Sequence, residues 1–436
     1  MSASTRRVVI TGLGLVSPLG NTAPSVWEAL IQGRSGVAKI GSFPADYMPT
    51  SFAAEARDFS GAIDDFGPLE GEKKKAIRKG LKVMCRESQM GVAASQRALS
   101  DAKIADGSFD PELAGIVFGS DYMMTMPEDF TAGIQRCIGP DGVFDFSRWA
   151  LEGMPQLTPL WLLKYLPNMP ASHVAIYNDM RGPNNSITLR EASSNLAVGE
   201  AYRTIQRGHA SLMIAGATGT RVHPMKMVHV VSQEEVAGNG AEPTQASRPF
   251  DLHRTGMVVG EGAGAVVLEE LASAQTRGAK IYGEIIGTSS SSVANQQRVA
   301  DRRKALINAM RGALRDAGLS PRDVGHIHAH GLSTRSCDVE EAAAIREVFG
   351  DVPVPITAAK SSFGNLGAGS GLVELIASLL ALEHGELFPV QNYSTPDPEC
   401  LLKIVTTKGV SPGASFLNIN VTPQGQAAAV VVRKFG

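Results

Sequence analysis

Apolar runs bounded by glycine recur along the chain: VVITGLG from Val8, AGIVFGS from Ala114, SLMIAGA from Ser211, GAVVLEE from Gly264, IYGEIIG from Ile281, HIHAHG from His326 and AAAVVVRKF near the end. Short Val/Ile-rich runs with little polar alternation predict strands covered on both faces. Helical periods lie between them. Leu372, Leu375, Ile376, Leu379 and Leu380 share one face, and Leu196, Ala197, Ala201, Tyr202 and Ile205 follow a similar spacing. Strands alternating with helices predict an α/β fold.

The pattern also runs twice. REASSNLAVGEAYRTIQRG and FGNLGAGSGLVELIASLLALEHG each lead from small residues into a buried helix that ends on glycine. This predicts two similar halves, residues 1–250 and 251–436. Residues from about 121 to 180, with YMMTMPEDF, Trp149, Trp161 and several prolines, fit neither rhythm and read as an insertion. It either shapes a pocket or subunit contact, or is a surface cap.

Composition narrows the class. The 436 residues are 43% hydrophobic and 19% charged, with a net charge of -2, an ordinary globular balance without a footprint for nucleic acid. Cys85, Cys137, Cys337 and Cys400 are scattered without metal-ligand spacing, as free thiols in a reducing compartment would be. The apolar run after Arg6 and Arg7 breaks into glycines, so it reads as a first strand and not a signal peptide. No stretch reaches the roughly 18 to 20 apolar residues of a spanning helix. The expectation is a cytoplasmic protein.

One segment raises a chemical question. PNNSITLREASSNLAVGEAYRTIQRG, residues 183–208, reads as a strand ending, a small-residue turn and an amphipathic helix, with Glu191 at the join and Arg190 before it. A carboxylate at a helix N-terminus is favoured by the helix dipole.

Several segments, in order, resemble the β-ketoacyl-[acyl-carrier-protein] synthases, the elongating condensing enzymes of type II fatty-acid and polyketide synthesis. They are VVITGLGLVSPLGN, RPFDLHRTGMVVGEGAGAVVLEEL, HGLSTRSCDVEE, KSSFGNLGAGSG and NYSTPDPEC. The glycine clusters lack the spacing of a dinucleotide fingerprint and read as close backbone packing. The resemblance implies a thiolase-like αβαβα fold of five layers in two pseudo-symmetric halves, paired as a dimer across the edge of the first half's sheet, with no cofactor.

It also implies a site. Condensation needs a cysteine nucleophile at a helix N-terminus, two imidazole donors and an oxyanion hole. Counting back from Gly199, the cysteine position falls on Glu191. His330 matches the first histidine and Asn365 the second, and an amide can donate a hydrogen bond but carries no proton at neutral pH. His330 is either a kept donor or a core histidine held by a hydrogen bond. Lys360 and Glu341 are kept, and in the family they form a buried ion pair that braces the histidines. HGTST is HGLST here, so Leu332 replaces a threonine near the incoming substrate while Thr334 remains. The gating loop corresponds to Val421, Thr422, Pro423 and Gln424, and Pro423 has no N–H. Cys337 occupies a slot facing away from the tunnel and is discounted as a replacement nucleophile.

Three functions compete. The first is a non-condensing partner of an active synthase, like a chain-length factor. The second is a repurposed acyl-thioester enzyme, a decarboxylase, hydrolase or acyltransferase, using Glu191 and His330. The third is an acyl- or carrier-binding protein without catalysis. The expected partners are an acyl or malonyl thioester, an acyl carrier protein, and a second subunit in a homodimer or a heterodimer with a competent synthase. EKKKAIRKGLKVMCRE, with Lys73, Lys74, Lys75, Arg78 and Lys79, reads either as a carrier-docking surface or as a solvated helix face.

Overall fold

The computed structural model describes residues 6–436. Its strands are β1 (Val8–Val16), β2 (Val37–Lys39), β3 (Phe52–Ala54), β4 (Ala114–Ser120), β5 (Asn184–Thr188), β6 (Leu212–Thr220), β7 (Glu261–Glu270), β8 (Gly283–Ser292), β9 (His326–His328), β10 (Ile356–Thr357), β11 (Ser415–Val421) and β12 (Gln426–Arg433). Apart from the small β2–β3 ladder they form one 10-stranded sheet, in the order β10-β9-β11-β12-β8-β1-β7-β6-β4-β5.

From its centre this sheet reads the same way in both directions. One side runs β1, β7, β6, β4, β5 and the other β8, β12, β11, β9, β10. Each set therefore places its first strand next to its fifth, then its fourth, second and third. The directions repeat as well. β4 is parallel to β5 and β6, with β7 antiparallel to β6 and β1; β9 is parallel to β10 and β11, with β12 antiparallel to β11 and β8. Val8–Ile10 join the sets by antiparallel pairing with Gly283–Ile285. This order makes the pseudo-symmetry visible in the backbone.

All seven apolar runs are strands. β11 escaped the pattern because Asn418 and Asn420, both buried, interrupt its apolar residues. The helices Ser193–Gln206 and Ser370–His384 pack together between the sheet halves, sharing one core built from Ala197, Ile205, Leu372 and Leu379 among others. Arg86–Asp101 covers the first half from outside and Arg302–Ala317 the second. Two glycines make the close approach possible. A Cβ on Gly14 would meet the Ala94 carbonyl at 2.0 Å, and one on Gly264 would meet the Leu372 Cβ at 2.8 Å.

The irregular stretch contains the helices Pro127–Arg136 and Met169–Asn178 with short turns between them. Phe130, Trp149 and Trp161 pack together as its internal core. Its outer side exposes Ile138, Val143, Phe146, Leu151, Leu160 and Leu162. The Pro167 carbonyl accepts hydrogen bonds from Ser120 and Ser186, which ties this segment to β4 and to the free edge strand β5. No helix among the described residues is long and apolar enough to cross a membrane.

Candidate functional site

Glu191 lies in the one-turn helix Arg190–Ala192 that leads into Ser193–Gln206, and it is only 1% exposed. Arg190, directly before it, has φ 50°, a left-handed conformation that a long side chain rarely takes. Arg221, at the end of β6, donates to Glu191 Oε1. Asn365 Nδ2 donates to the same oxygen at 3.0 Å, and Arg190 Nε stands 3.5 Å from Oε2. Arg190 also pairs with Glu234 at 2.5 Å, and Arg221 lies 3.4 Å from Glu234 and 3.7 Å from Asp121. Burial pushes the Glu191 carboxyl upward, but Arg221, Arg190 and the Asn365 hydrogen bond together hold it well below the carboxylate range.

The opposite wall comes from the second half. His330 follows β9 and is buried, with the Lys360 ammonium 3.3 Å from Nδ1 and donating to the His330 carbonyl at 2.8 Å. Because an ammonium has no lone pair, Nδ1 is the acceptor and Nε2 carries the hydrogen. That Nε2 has no partner. Burial and the neighbouring Lys360 hold the imidazole well below its ordinary pKa, so it is neutral. Asn365 is fixed in turn: its Oδ1 accepts from the Gly367 N–H at 3.0 Å, which leaves Nδ2 toward Glu191.

The expected Lys360–Glu341 ion pair is absent. Lys360 pairs with the fully buried Glu374, whose other oxygen accepts from Asn420 at 2.8 Å. Glu341 instead accepts the backbone N–H groups of His330 and Gly331 at 2.6 and 2.8 Å, so it braces the loop and not the lysine. Burial pushes its carboxyl up to about 8.

Other expected residues lie further from Glu191's contacts. Thr334 caps the helix Arg335–Phe349, accepting from the Cys337 N–H at 3.3 Å, and Leu332 is buried in the second half's core. Thr422 begins the tight β11–β12 turn, where its N–H donates to the Gln426 carbonyl at 2.8 Å and its hydroxyl bonds the Gln426 side chain. Cys337 is buried, and burial raises its thiol well above the usual range. On the helix Gly71–Gly80, Lys73 pairs with Asp106, Lys74 with Asp64 and Lys75 with Glu72. The lysine run is thus largely matched by the chain's own carboxylates. The larger surface cavities, about 540 Å³ beside Phe349 and about 470 Å³ beside Leu99, are lined by none of Glu191, His330 and Asn365.

Residues 5–274 match the family described as "Beta-ketoacyl synthase, N-terminal domain", and residues 282–394 match "Beta-ketoacyl synthase, C-terminal domain". The chain belongs to the β-ketoacyl synthase family. It is 35% identical over 405 residues to 3-oxoacyl-[acyl-carrier-protein] synthase 2 of Synechocystis sp., covering 92% of this chain and 91% of that one. The synthase 2 of Staphylococcus aureus is 32% identical over 434 residues, 98% of each chain. A β-ketoacyl synthase from Burkholderia phymatum superposes with a TM-score of 0.85 at 28% identity, covering 99% of this chain and 100% of that one. The ishigamide ketosynthase/chain length factor superposes at 0.83 and 27%, with the same coverage. The thiolase-like fold of these synthases is the fold described above.

Four charged residues of this synthase-family site were not singled out from sequence: Arg221, Glu234, Asp121 and Glu374. Two had a signal. Arg221 ends an otherwise small and apolar run, LMIAGATGT, and Glu374 is a lone acid inside GLVELIASLL. Buried charges without partners are too costly to persist, so each implied an opposite charge elsewhere.

Proposed function

We propose that this chain is a non-condensing, cytoplasmic subunit that works beside a competent β-ketoacyl synthase, in the manner of a chain-length factor. One observation carries the reading: the position required for a thiol nucleophile holds a buried carboxylate, ion-paired to Arg221 and hydrogen-bonded to Asn365. A carboxylate held so far below its ordinary pKa is a poor base, and it cannot form a stable acyl thioester. Removing general acid–base groups costs roughly 100- to 10,000-fold each. Losing the nucleophile and one histidine together leaves no route to ordinary condensation.

The free edge of β5 and the apolar outer side of the insertion are where a second subunit would pair. An acyl carrier is the second expected partner, with Arg78 and Lys79, at the end of the basic helix, as its outermost contacts. Among the structural relatives, one is described as a type II polyketide acyl-carrier protein in complex with its ketosynthase, and another as a ketosynthase/chain length factor. Both descriptions accord with this reading.

The test is reconstitution. A synthase with intact cysteine and both histidines should gain or change chain-building activity when co-expressed with this chain, and the chain alone should release neither CO2 nor free acid from carrier thioesters. A covalent acyl adduct on Glu191 would overturn the proposal. It would favour the second reading, an acyl-thioester enzyme using Glu191 and His330, for which the unpartnered His330 Nε2–H is the supporting observation.

A further inference from the structure

The cavity of about 540 Å³ lies in the second half, between the end of the helix Arg335–Phe349, the edge strand β10 and residues 393–403. Its size falls within the range of small-molecule sites. Ile345, Phe349, Val354 and Ile356, all buried, give it an apolar floor. Leu401, also in its wall, is 60% exposed. Apolar surface thus runs from the core out to the rim.

Backbone groups around it are already used. The Ile356 N–H donates to the Lys403 carbonyl and the Val405 N–H to the Ile356 carbonyl, both at 2.9 Å, which covers the outer edge of β10. The Val352 N–H donates to the Phe349 carbonyl at 3.1 Å, and the Val354 N–H to the Val352 carbonyl at 2.8 Å. A peptide strand docks on a sheet edge through free backbone groups. An alkyl chain needs none, so this wall suits the alkyl chain.

Charge selects the head group. Arg346 and Lys403 are part of the wall, and neither pairs with a carboxylate among the described residues. Arg346 donates through Nη1 to the Glu399 carbonyl at 2.9 Å, and a guanidinium has further N–H groups to offer. Asp351 is the one carboxylate in the wall, so these side chains carry a net +1. The nearby helix C-terminus opposes an anion with about half a negative charge. That is less than the net positive charge it faces.

We infer that this cavity binds a medium-chain fatty acid, with its alkyl chain over Ile345, Phe349 and Ile356 and its carboxylate at Arg346 and Lys403. The inference is independent of what Glu191 does. No bond is made or broken.

The experiment uses the full chain with 13C-labelled isoleucine δ1 methyls and three probes, hexanoate, octanoate and decanoate, each below its micellar concentration. The Ile345 and Ile356 methyl signals, assigned by Ile345→Val and Ile356→Val, should move saturably with decanoate. Each methylene taken out of water tightens binding by up to about fourfold, so the dissociation constant should fall at each step of the series. Arg346 and Lys403 are exposed, so Arg346→Gln with Lys403→Gln should fold normally. This double variant should weaken decanoate binding about tenfold, the worth of one charge-assisted hydrogen bond. Leu401→Asp should weaken it as well, and decanol should bind wild type about tenfold more weakly than decanoate does. Silent Ile345 and Ile356 methyls at millimolar decanoate, decanol binding as tight as decanoate, or an unchanged affinity in the double variant would each overturn the inference. Tighter binding of an N-acetylated leucine dipeptide would overturn it too, by assigning the cavity to a peptide terminus.

Discussion

The two walls of the site solve the same problem differently. On the first-half wall, the buried carboxylate of Glu191 is neutralised by two arginines, Arg190 and Arg221, on neighbouring elements. On the second-half wall, one lysine and one glutamate balance each other and position a neutral imidazole whose outer N–H is free. Both bury charge deeply, and both leave buried N–H groups without a hydrogen-bond partner: Arg190 Nε and Arg221 Nε on the first wall, His330 Nε2 on the second. The contrast shows that the Glu191 carboxylate and the His330 imidazole are held by separate ion pairs, Arg221–Glu191 and Lys360–Glu374.

The sharpest way to break this separation is to remove Arg221. Arg221→Ala leaves Glu191 buried without its main cation, and chemical denaturation should show a loss of about 3–5 kcal/mol. The double variant with Glu191→Ala should lose clearly less than the two single losses added, which is the signature of a coupled pair. Lys360→Met tests the other wall. It strands Glu374 and should cost about 3 kcal/mol, while leaving the Arg221–Glu191 coupling unchanged in a double-mutant cycle. Any change in that coupling would show that the walls are one network.

Acidity separates the walls further. Glu191 has a lowered folded pKa, so its contribution is fully present above the unfolded value of about 4.3 and is lost as pH falls below it. Glu341 is raised to about 8. The unfolded chain ionises it from about 4.3, so stability declines as pH rises from there to about 8 and levels off beyond. Glu341→Gln should flatten that decline, and Glu191→Gln should blunt the acid loss, in stability curves measured from pH 3 to 9.

A smaller effect probes the pocket's field. Glu191→Cys places a thiol beside Arg221 and Arg190, which favour the thiolate, so iodoacetamide should alkylate it at pH 7. Burial raises the thiols of Cys85, Cys337 and Cys400 above their ordinary range, so these should label far more slowly. An introduced thiol no more reactive than they are would mean that the seal is steric and not only ionic. The smallest expected stability change, within about 0.5 kcal/mol, comes from reversing Arg78 and Lys79, which are exposed, to glutamate. Carrier affinity should nonetheless fall in a binding titration, and unchanged affinity would rule the helix out as a docking surface.

The seven apolar strands, and Glu191 at the turn into a helix, were legible because period and glycine spacing are local properties. The repeat of strand order was visible only as two similar helix approaches, since sheet neighbours are set by contacts far apart in the chain. Arg221 and Glu374 were readable as isolated charges in apolar runs, but not which acid or base each would meet. Glu341 shows the limit: an acid in the expected motif was assigned to a lysine, whereas two loop N–H groups converge on it. Backbone donors have no letter in a sequence.

Arg190 carries one more consequence. A non-glycine residue in the left-handed region costs about 1–2 kcal/mol, and glycine there would relieve it at once. Arginine at φ 50° therefore means that the turn before Glu191 carries backbone strain at the same residue that pairs with Glu234. Arg190→Gly would relieve the backbone and remove the Glu234 pair together, so this single position sets the comfort of the turn against an ion pair.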